Sequence, residues 1–344
     1  MNGIIPPRLE EIVTPVSRFA ADTDLHAVQW ARTLGLVGSP RGERRLAATR
    51  PGLLAAHCYP TASRTDMALM ADWLTWLFLL DDQIDEGRHS ALPGSVEREM
   101  AAVYRTGLGA GSLPFDHGPL GDALRDIIQR LEGRAGFDER WSLRFQQHLL
   151  EYVNACVWQA AQRASGLPVP VGTFPEMRRR AGAIMPSFDL IEVVEHTVLP
   201  PALYYSDIYQ RLLTTAANVV CWTNDLATWR KEAAHGDVHN SVLVTVESEG
   251  IPVERAVARV AAETDREISR FLAAEGELHR LLGLHGPDAD GARACVASLR
   301  AWMRGHVEWG KETARYRNSA ATDFGERAME DLLTGHVSVG SHHG

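Results

Sequence analysis

The chain has few cysteines, no long apolar run and no excess of positive charge, and each shortage removes a class of protein. Its four cysteines, Cys58, Cys156, Cys221 and Cys295, lie far apart with no CxxC pair, which argues against a disulfide framework and a thiolate zinc site. The longest apolar stretch, Met67 to Leu80, contains Asp72 and Thr75 and falls short of the roughly 20 residues that cross a bilayer. A formal net charge of −9 speaks against nucleic acid or an anionic membrane surface as the main partner. Attraction to a phosphorylated ligand must then come from metal ions or a few local arginines. The opening MNGIIPPRLEEI has no basic segment followed by an apolar one, so no secretory signal is visible and a reducing cytoplasm is the expected location. Strand signals are equally scarce: Val242–Val246 is a short β-branched piece that a helix could absorb.

What the chain does have is helical periodicity. Met70, Trp73, Leu74, Leu77, Phe78 and Ile84 recur at three- and four-residue spacing, and similar patterns run through 139–163, 204–232, 252–282 and 291–316. Breaks fall at Glu86-Gly87, Gly109–Gly111, Gly236-Asp237 and His285–Gly291. No repeat and no Pro- or Ser-rich linker divides the 344 residues, of which 45% are hydrophobic and 23% charged, ordinary values for a chain that buries a full core. The expectation is an all-α fold with one domain over 16–317, a poorly ordered N-terminus over 1–15, and a disordered C-terminal tail over 318–344 that takes in His343.

Two segments carry oxygen-rich chemistry. In LFLLDDQIDEG, residues 77–87, Asp81 and Asp85 continue the four-residue spacing of Trp73 and Leu77, so two carboxylates lie on an apolar stripe. Burying unpaired carboxylates is costly, and either bound cations or arginines from another helix must neutralise them. A helix end emerging into solvent explains a lone motif of this kind about equally well. In WTNDLATWRKE, residues 222–232, Asn224, Thr228 and Glu232 step by four along a helix whose earlier turns offer Leu212, Ala216 and Val220 on that side. Mixed oxygen donors suit a hard ion such as magnesium, which keeps several waters and takes further ligands from substrate phosphates. No histidine or cysteine set for a transition metal is visible among the fourteen histidines and four cysteines.

Together these segments resemble the paired metal motifs of bacterial-type class I terpene synthases. Asp81, Asp82 and Asp85 match DDxxD, and Asn224, Asp225, Thr228 and Glu232 match (N/D)Dxx(S/T)xxxE, 143 positions after Asp81. Arg178 stands 46 residues before Asn224, where the family carries a diphosphate-sensing arginine, and Arg315-Tyr316 follows Trp309 as the family's late Arg-Tyr pair does. Ala181 departs from the usual Asp or Thr that links this sensor to a helix break, whereas Gly182 matches the small residue at the break and Pro186 supports the break itself.

The resemblance spans roughly 60–317. It implies a class I terpenoid synthase-like helical bundle around a deep central cavity. The implied activity is Mg²⁺-dependent ionisation of an isoprenyl diphosphate, then carbocation cyclisation with release of diphosphate. Farnesyl diphosphate is the default by size and family frequency, with geranyl and geranylgeranyl diphosphates compatible. Three magnesium ions would be held by Asp81, by Asp85 or alternatively Glu86, and by Asn224, Thr228 and Glu232. Arg178, Lys231 and Arg315 would bind phosphate oxygens, Tyr316 would add a hydrogen bond, and Asp82 would tether Arg315. Arg230 matches no family contact. Phe78, Trp309 and Gly182 would line the hydrocarbon pocket, while Trp73, Trp76, Phe188 and Trp302 read as core. A chain-elongating synthase would repeat DDxxD where this chain has NDLATWRKE, and a non-catalytic scaffold on the same fold need not keep every ligand. Monomer and homodimer are both compatible with the sequence.

Overall fold

The computed structural model describes residues 5–86, 94–109, 118–134, 138–234, 236–281, 283 and 287–316. Among them every regular element is a helix. The first four are short: α1 (Pro7–Glu11), α2 (Ala20–Thr33), α3 (Pro40–Thr49) and α4 (Pro51–Cys58). Then come α5 (Arg64–Glu86), α6 (Ser95–Gly107), α7 (Pro119–Glu132), α8 (Glu139–Ser165), α9 (Phe174–Ala181), α10 (Ile184–Val194) and α11 (Pro201–Tyr204). The chain closes with α12 (Asp207–Ala234), α13 (Ser241–Glu249), α14 (Val253–Leu281) and α15 (Pro287–Glu312). No helix among the described residues is long and apolar enough to cross a membrane.

Local chemistry explains the boundaries. Pro7, Pro40, Pro51, Pro119 and Pro201 each open a helix, where a missing N–H costs nothing because that donor has no partner in the first turn. Ser39, Asp138 and Asn240 cap α3, α8 and α13 by accepting a first-turn backbone N–H. That Asn240 cap turns the β-branched run Val242–Val246 into helix. Gly236 follows the end of α12 in the left-handed conformation. Gly291 lies inside α15 rather than marking a break: a Cβ there would stand 2.3 Å from Thr197 Oγ1, so the glycine serves close packing.

One contiguous apolar core runs from Leu9 to Trp309. In its middle Trp73 and Trp76 stack at 5.4 Å, their indole N–H groups donating to Ser187 Oγ and the Leu120 carbonyl. Within the segment 1–15, expected to be poorly ordered, residues 8–12 pack against the body. Leu9 and Ile12 are buried, Arg8 pairs with Asp265 of α14, and Arg304 of α15 donates to the Leu9 carbonyl. Apolar residues in a short lead segment dock it instead of leaving it loose. Residues 1–4 and the tail 318–344, with His343, lie outside the described residues, as do the side chains of Asp85 and Glu86.

Candidate active site

Helices α5, α9, α10, α12 and α15 enclose a cavity of about 210 Å³. Its lining includes the apolar Leu77, Phe78, Ile184, Val220, Trp302 and Trp309. It also includes Asp81, Arg178, Asn224, Glu232, Arg315 and Tyr316. Residues as far apart in sequence as Leu54 and Tyr316 therefore meet around one space that is part apolar and part charged.

The α9–α10 break sets one wall. Gly182 ends α9, and Ala183 takes a left-handed φ of 51°, a conformation that costs a non-glycine residue about 1–2 kcal/mol. Pro186 falls in the first turn of α10, where it needs no donor. Space at Gly182 is tight, since a Cβ would lie 3.3 Å from Ile184 Cγ1 and 3.4 Å from the Arg178 guanidinium.

Arg178 points from α9 onto α12. It donates to Asp225 Oδ1 at 2.7 and 2.9 Å and to Asn224 Oδ1 at 2.9 Å. Burial opposes its charge, but the Asp225 carboxylate more than compensates and holds the guanidinium firmly protonated. Asp225 is fully buried, and its other oxygen accepts the backbone N–H and hydroxyl of Ser241 at 2.8 and 2.5 Å. Asp225 thus ties the sensor position to the start of α13. On the next turns, the Thr228 hydroxyl donates to the Asn224 carbonyl at 2.9 Å, and Glu232 Oε2 accepts from Asn240 at 2.7 Å. Burial, with Asp225 nearby, pushes the Glu232 carboxyl up to about 7, a state that an arriving cation would reverse.

The opposite wall is closed by residues 313–316. Ala314 N–H donates to the Ala48 carbonyl and the Thr313 hydroxyl to that of Thr49, which lays Arg315 and Tyr316 across the cavity. Arg315 donates to Asp81 and to Asp82, each at 2.8 Å, and its guanidinium carbon sits 4.7 Å from the Phe78 ring centre. Arg45 adds a second cation to Asp82 at 3.2 Å. An arginine from elsewhere in the chain therefore neutralises Asp81 on the apolar stripe of α5, together with its neighbour Asp82.

Phe78 and Trp309 stack at 5.4 Å, and the Trp309 indole is fixed by donating to the Thr49 and Arg50 carbonyls. Trp73, Trp76 and Phe188 are core. Trp302 is both core and wall: it is buried yet lines the cavity, because α15 turns Trp302, His306 and Trp309 to one side. Thr228 and Lys231 do not line the cavity; Lys231 is half-buried and acts on Asp81 through space. Among the described residues no three His, Cys, Asp or Glu side chains converge as a metal cage. The donors are mixed, with an amide and a hydroxyl among them, and arginines hold the carboxylates.

Sequence reasoning passed over His306, and it gave Asp225 no role beyond matching the motif. The i to i+3 spacing of His306 and Trp309 was the available signal for the first. The depth of Asp225 had none.

Residues 72–270 match the family model described as terpene synthase family 2, C-terminal metal binding. The chain belongs to this terpene synthase family. It is 44% identical over 314 residues to a (−)-delta-cadinene synthase of Streptomyces clavuligerus, covering 89% of this chain and 94% of that one. It is 32% identical to a (+)-T-muurolol synthase of Roseiflexus castenholzii, covering 88% and 90%. Among solved structures, a linalool/nerolidol synthase from Streptomyces clavuligerus superposes with a TM-score of 0.77 at 26% identity, covering 90% of this chain and all of the other. An α-eudesmol synthase gives 0.78 at 24% identity, which speaks for the fold alone. The all-α terpene synthase fold and the metal-binding character of this terpene cyclase rest on these matches together.

Proposed function

We propose that this terpene cyclase ionises farnesyl diphosphate with the help of magnesium and cyclises the resulting cation. The observation that carries the reading is a single cavity lined both by arginines with hard oxygen donors and by aromatic side chains. The T-muurolol relative is named as cyclising (2E,6E)-farnesyl diphosphate, which supports that chain length here. The oxygen donor set fits magnesium, since amide, hydroxyl and carboxylate groups are hard ligands.

Asp81, with Asp85 or Glu86, would hold metal from α5, and Asn224, Thr228 and Glu232 from α12. Bound magnesium would supply positive charge against the phosphate oxygens of the leaving group. Arg178 and Arg315 can each exchange a carboxylate for a phosphate oxygen, keeping a charge-assisted bond throughout. Lys231 extends the positive field from the last turn of α12. Tyr316 would add a hydrogen bond to diphosphate; its hydroxyl lies 2.8 Å from His306 Nε2.

When the allylic C–O bond breaks, its electron pair leaves with the diphosphate and the hydrocarbon keeps the positive charge. Phe78, Trp309 and Trp302 line the cavity, and aromatic rings stabilise a cation without attacking it. Burial pushes the Cys221 thiol up to about 11, so the wall carries no thiolate to trap the cation. The direct test is incubation with farnesyl diphosphate and Mg²⁺, with gas chromatography of the extract. A cyclic hydrocarbon or alcohol is expected; an elongated prenyl diphosphate, or no product, contradicts the reading.

A further inference from the structure

His306 lies outside every motif matched above, yet it ends a chain of hydrogen-bonding contacts that begins at Arg178. Arg178 donates to Asn224 Oδ1 at 2.9 Å, and an oxygen facing that guanidinium fixes the amide so that Nδ2 faces the other way. Asn224 Nδ2 donates to the Tyr316 oxygen at 2.6 Å. The Tyr316 hydroxyl also lies 2.8 Å from His306 Nε2, a contact whose direction follows the imidazole tautomer. His306 is buried on α15, 7% exposed, and can accept the Tyr316 proton there as a neutral imidazole with Nε2 unprotonated. Burial, with Arg178 nearby, holds its pKa down at about 4, which keeps the ring uncharged.

We propose that His306 accepts the Tyr316 proton at Nε2 and is thereby a positioning residue which, through Tyr316, keeps the Asn224 amide oxygen turned toward the metal. The proposal rests on the magnesium reading above. While Arg178 grips Asn224 Oδ1, the amide is fixed from both sides. Once Arg178 turns to a diphosphate, only Tyr316 holds it. Without an acceptor at position 306, the Tyr316 proton can turn back onto Asn224 Oδ1, and the amide then offers a cation its NH₂ group instead of its oxygen. Outer groups that orient a ligand in this way typically affect metal affinity by about 10–100-fold.

The test uses His306→Gln, which retains an oxygen acceptor, and His306→Met, of similar length and volume without one; both are good helix formers. The stabilisation of the intact protein by Mg²⁺ at fixed inorganic diphosphate is followed by scanning calorimetry, and diphosphate release from farnesyl diphosphate is titrated with Mg²⁺ alongside. Wild type and His306→Gln are expected to share one half-saturating Mg²⁺ concentration, with His306→Met displaced upward by about tenfold. In a Tyr316→Phe background the Gln and Met variants should become indistinguishable, because the link through the hydroxyl is gone. Equal midpoints for Gln and Met in the Tyr316 protein, or a Gln–Met difference that survives Tyr316→Phe, would overturn the role of His306 alone. A wild type that neither gains stability from Mg²⁺ with diphosphate nor needs it for turnover would instead overturn the magnesium reading beneath it.

Discussion

On the proposed mechanism, exchanging the Arg178 guanidinium for a methyl group would remove charge that the departing diphosphate needs, whereas trimming Trp309 would alter only the surface met by the cation afterwards. Arg178→Ala is therefore expected to cut diphosphate release by about 10²–10³-fold, the usual cost of losing a donor aimed at developing charge. Trp309→Leu should keep most of the release but shift products toward acyclic or alcohol forms. Measuring released diphosphate and product profile in both variants decides the matter, and the reverse pattern would show the two roles to be exchanged. Glu232 permits a sharper contrast between stability and function. Its carboxyl is raised from 4.5 to about 7 in the metal-free fold, so its contribution to stability is fully present below about 4.5 and is lost as pH rises through about 7. Glu232→Gln removes that loss. The metal-free variant should gain in Tm relative to wild type as pH climbs through this window, keep the gain at pH 8, and still show no turnover. A Tm difference that does not vary with pH would contradict the buried, proton-retaining carboxyl. The same proton must leave before a cation binds, so the half-saturating Mg²⁺ concentration of wild type should rise as pH falls from 8 to 6.

At the scale of elements, the site depends on how closely α15 lies on α4. Gly305 makes that approach possible: a Cβ there would stand 2.7 Å from the His57 carbonyl carbon and oxygen, which are backbone and cannot swing away. Gly305→Ala should cost about 1–3 kcal/mol, read as a lowered Tm, and should impair turnover because His306 and Trp309 shift with the helix. Unchanged stability would mean that the two helices separate freely. The long helices were legible in sequence because their apolar faces repeat over several turns: the periodic stretches 66–86 and 139–163 became α5 (64–86) and α8 (139–165). The α9–α10 break was legible from Gly182 and Pro186, although its left-handed residue is Ala183, which no propensity would choose. α1 was missed because five residues are too few to show a period. The end of α15 at Glu312 was missed because the Ala314 N–H leaves the helix for the Ala48 carbonyl while the Thr313 hydroxyl donates to that of Thr49, contacts with a distant part of the chain. The motif residues announced themselves by spacing. Their partners Ser241, Asn240, Arg45 and His306 come from separate elements, and only the fold brings them to the site.

Taken as a whole the protein carries a net charge of −9 yet is proposed to bind a multiply charged anion, so global electrostatics work against the substrate. The account resolves this locally. The site arginines are paired with carboxylates, Arg178 with Asp225 and Arg315 with Asp81 and Asp82. Diphosphate alone should therefore bind weakly, and cations should be needed before the arginines are released to it. The measurement that tests this most directly is diphosphate release from farnesyl diphosphate by protein treated exhaustively with EDTA, before and after Mg²⁺ is restored. The account predicts no release after chelation and full recovery on adding Mg²⁺, with a cyclised product appearing in step with the diphosphate. Release that persists in the chelated protein would contradict it.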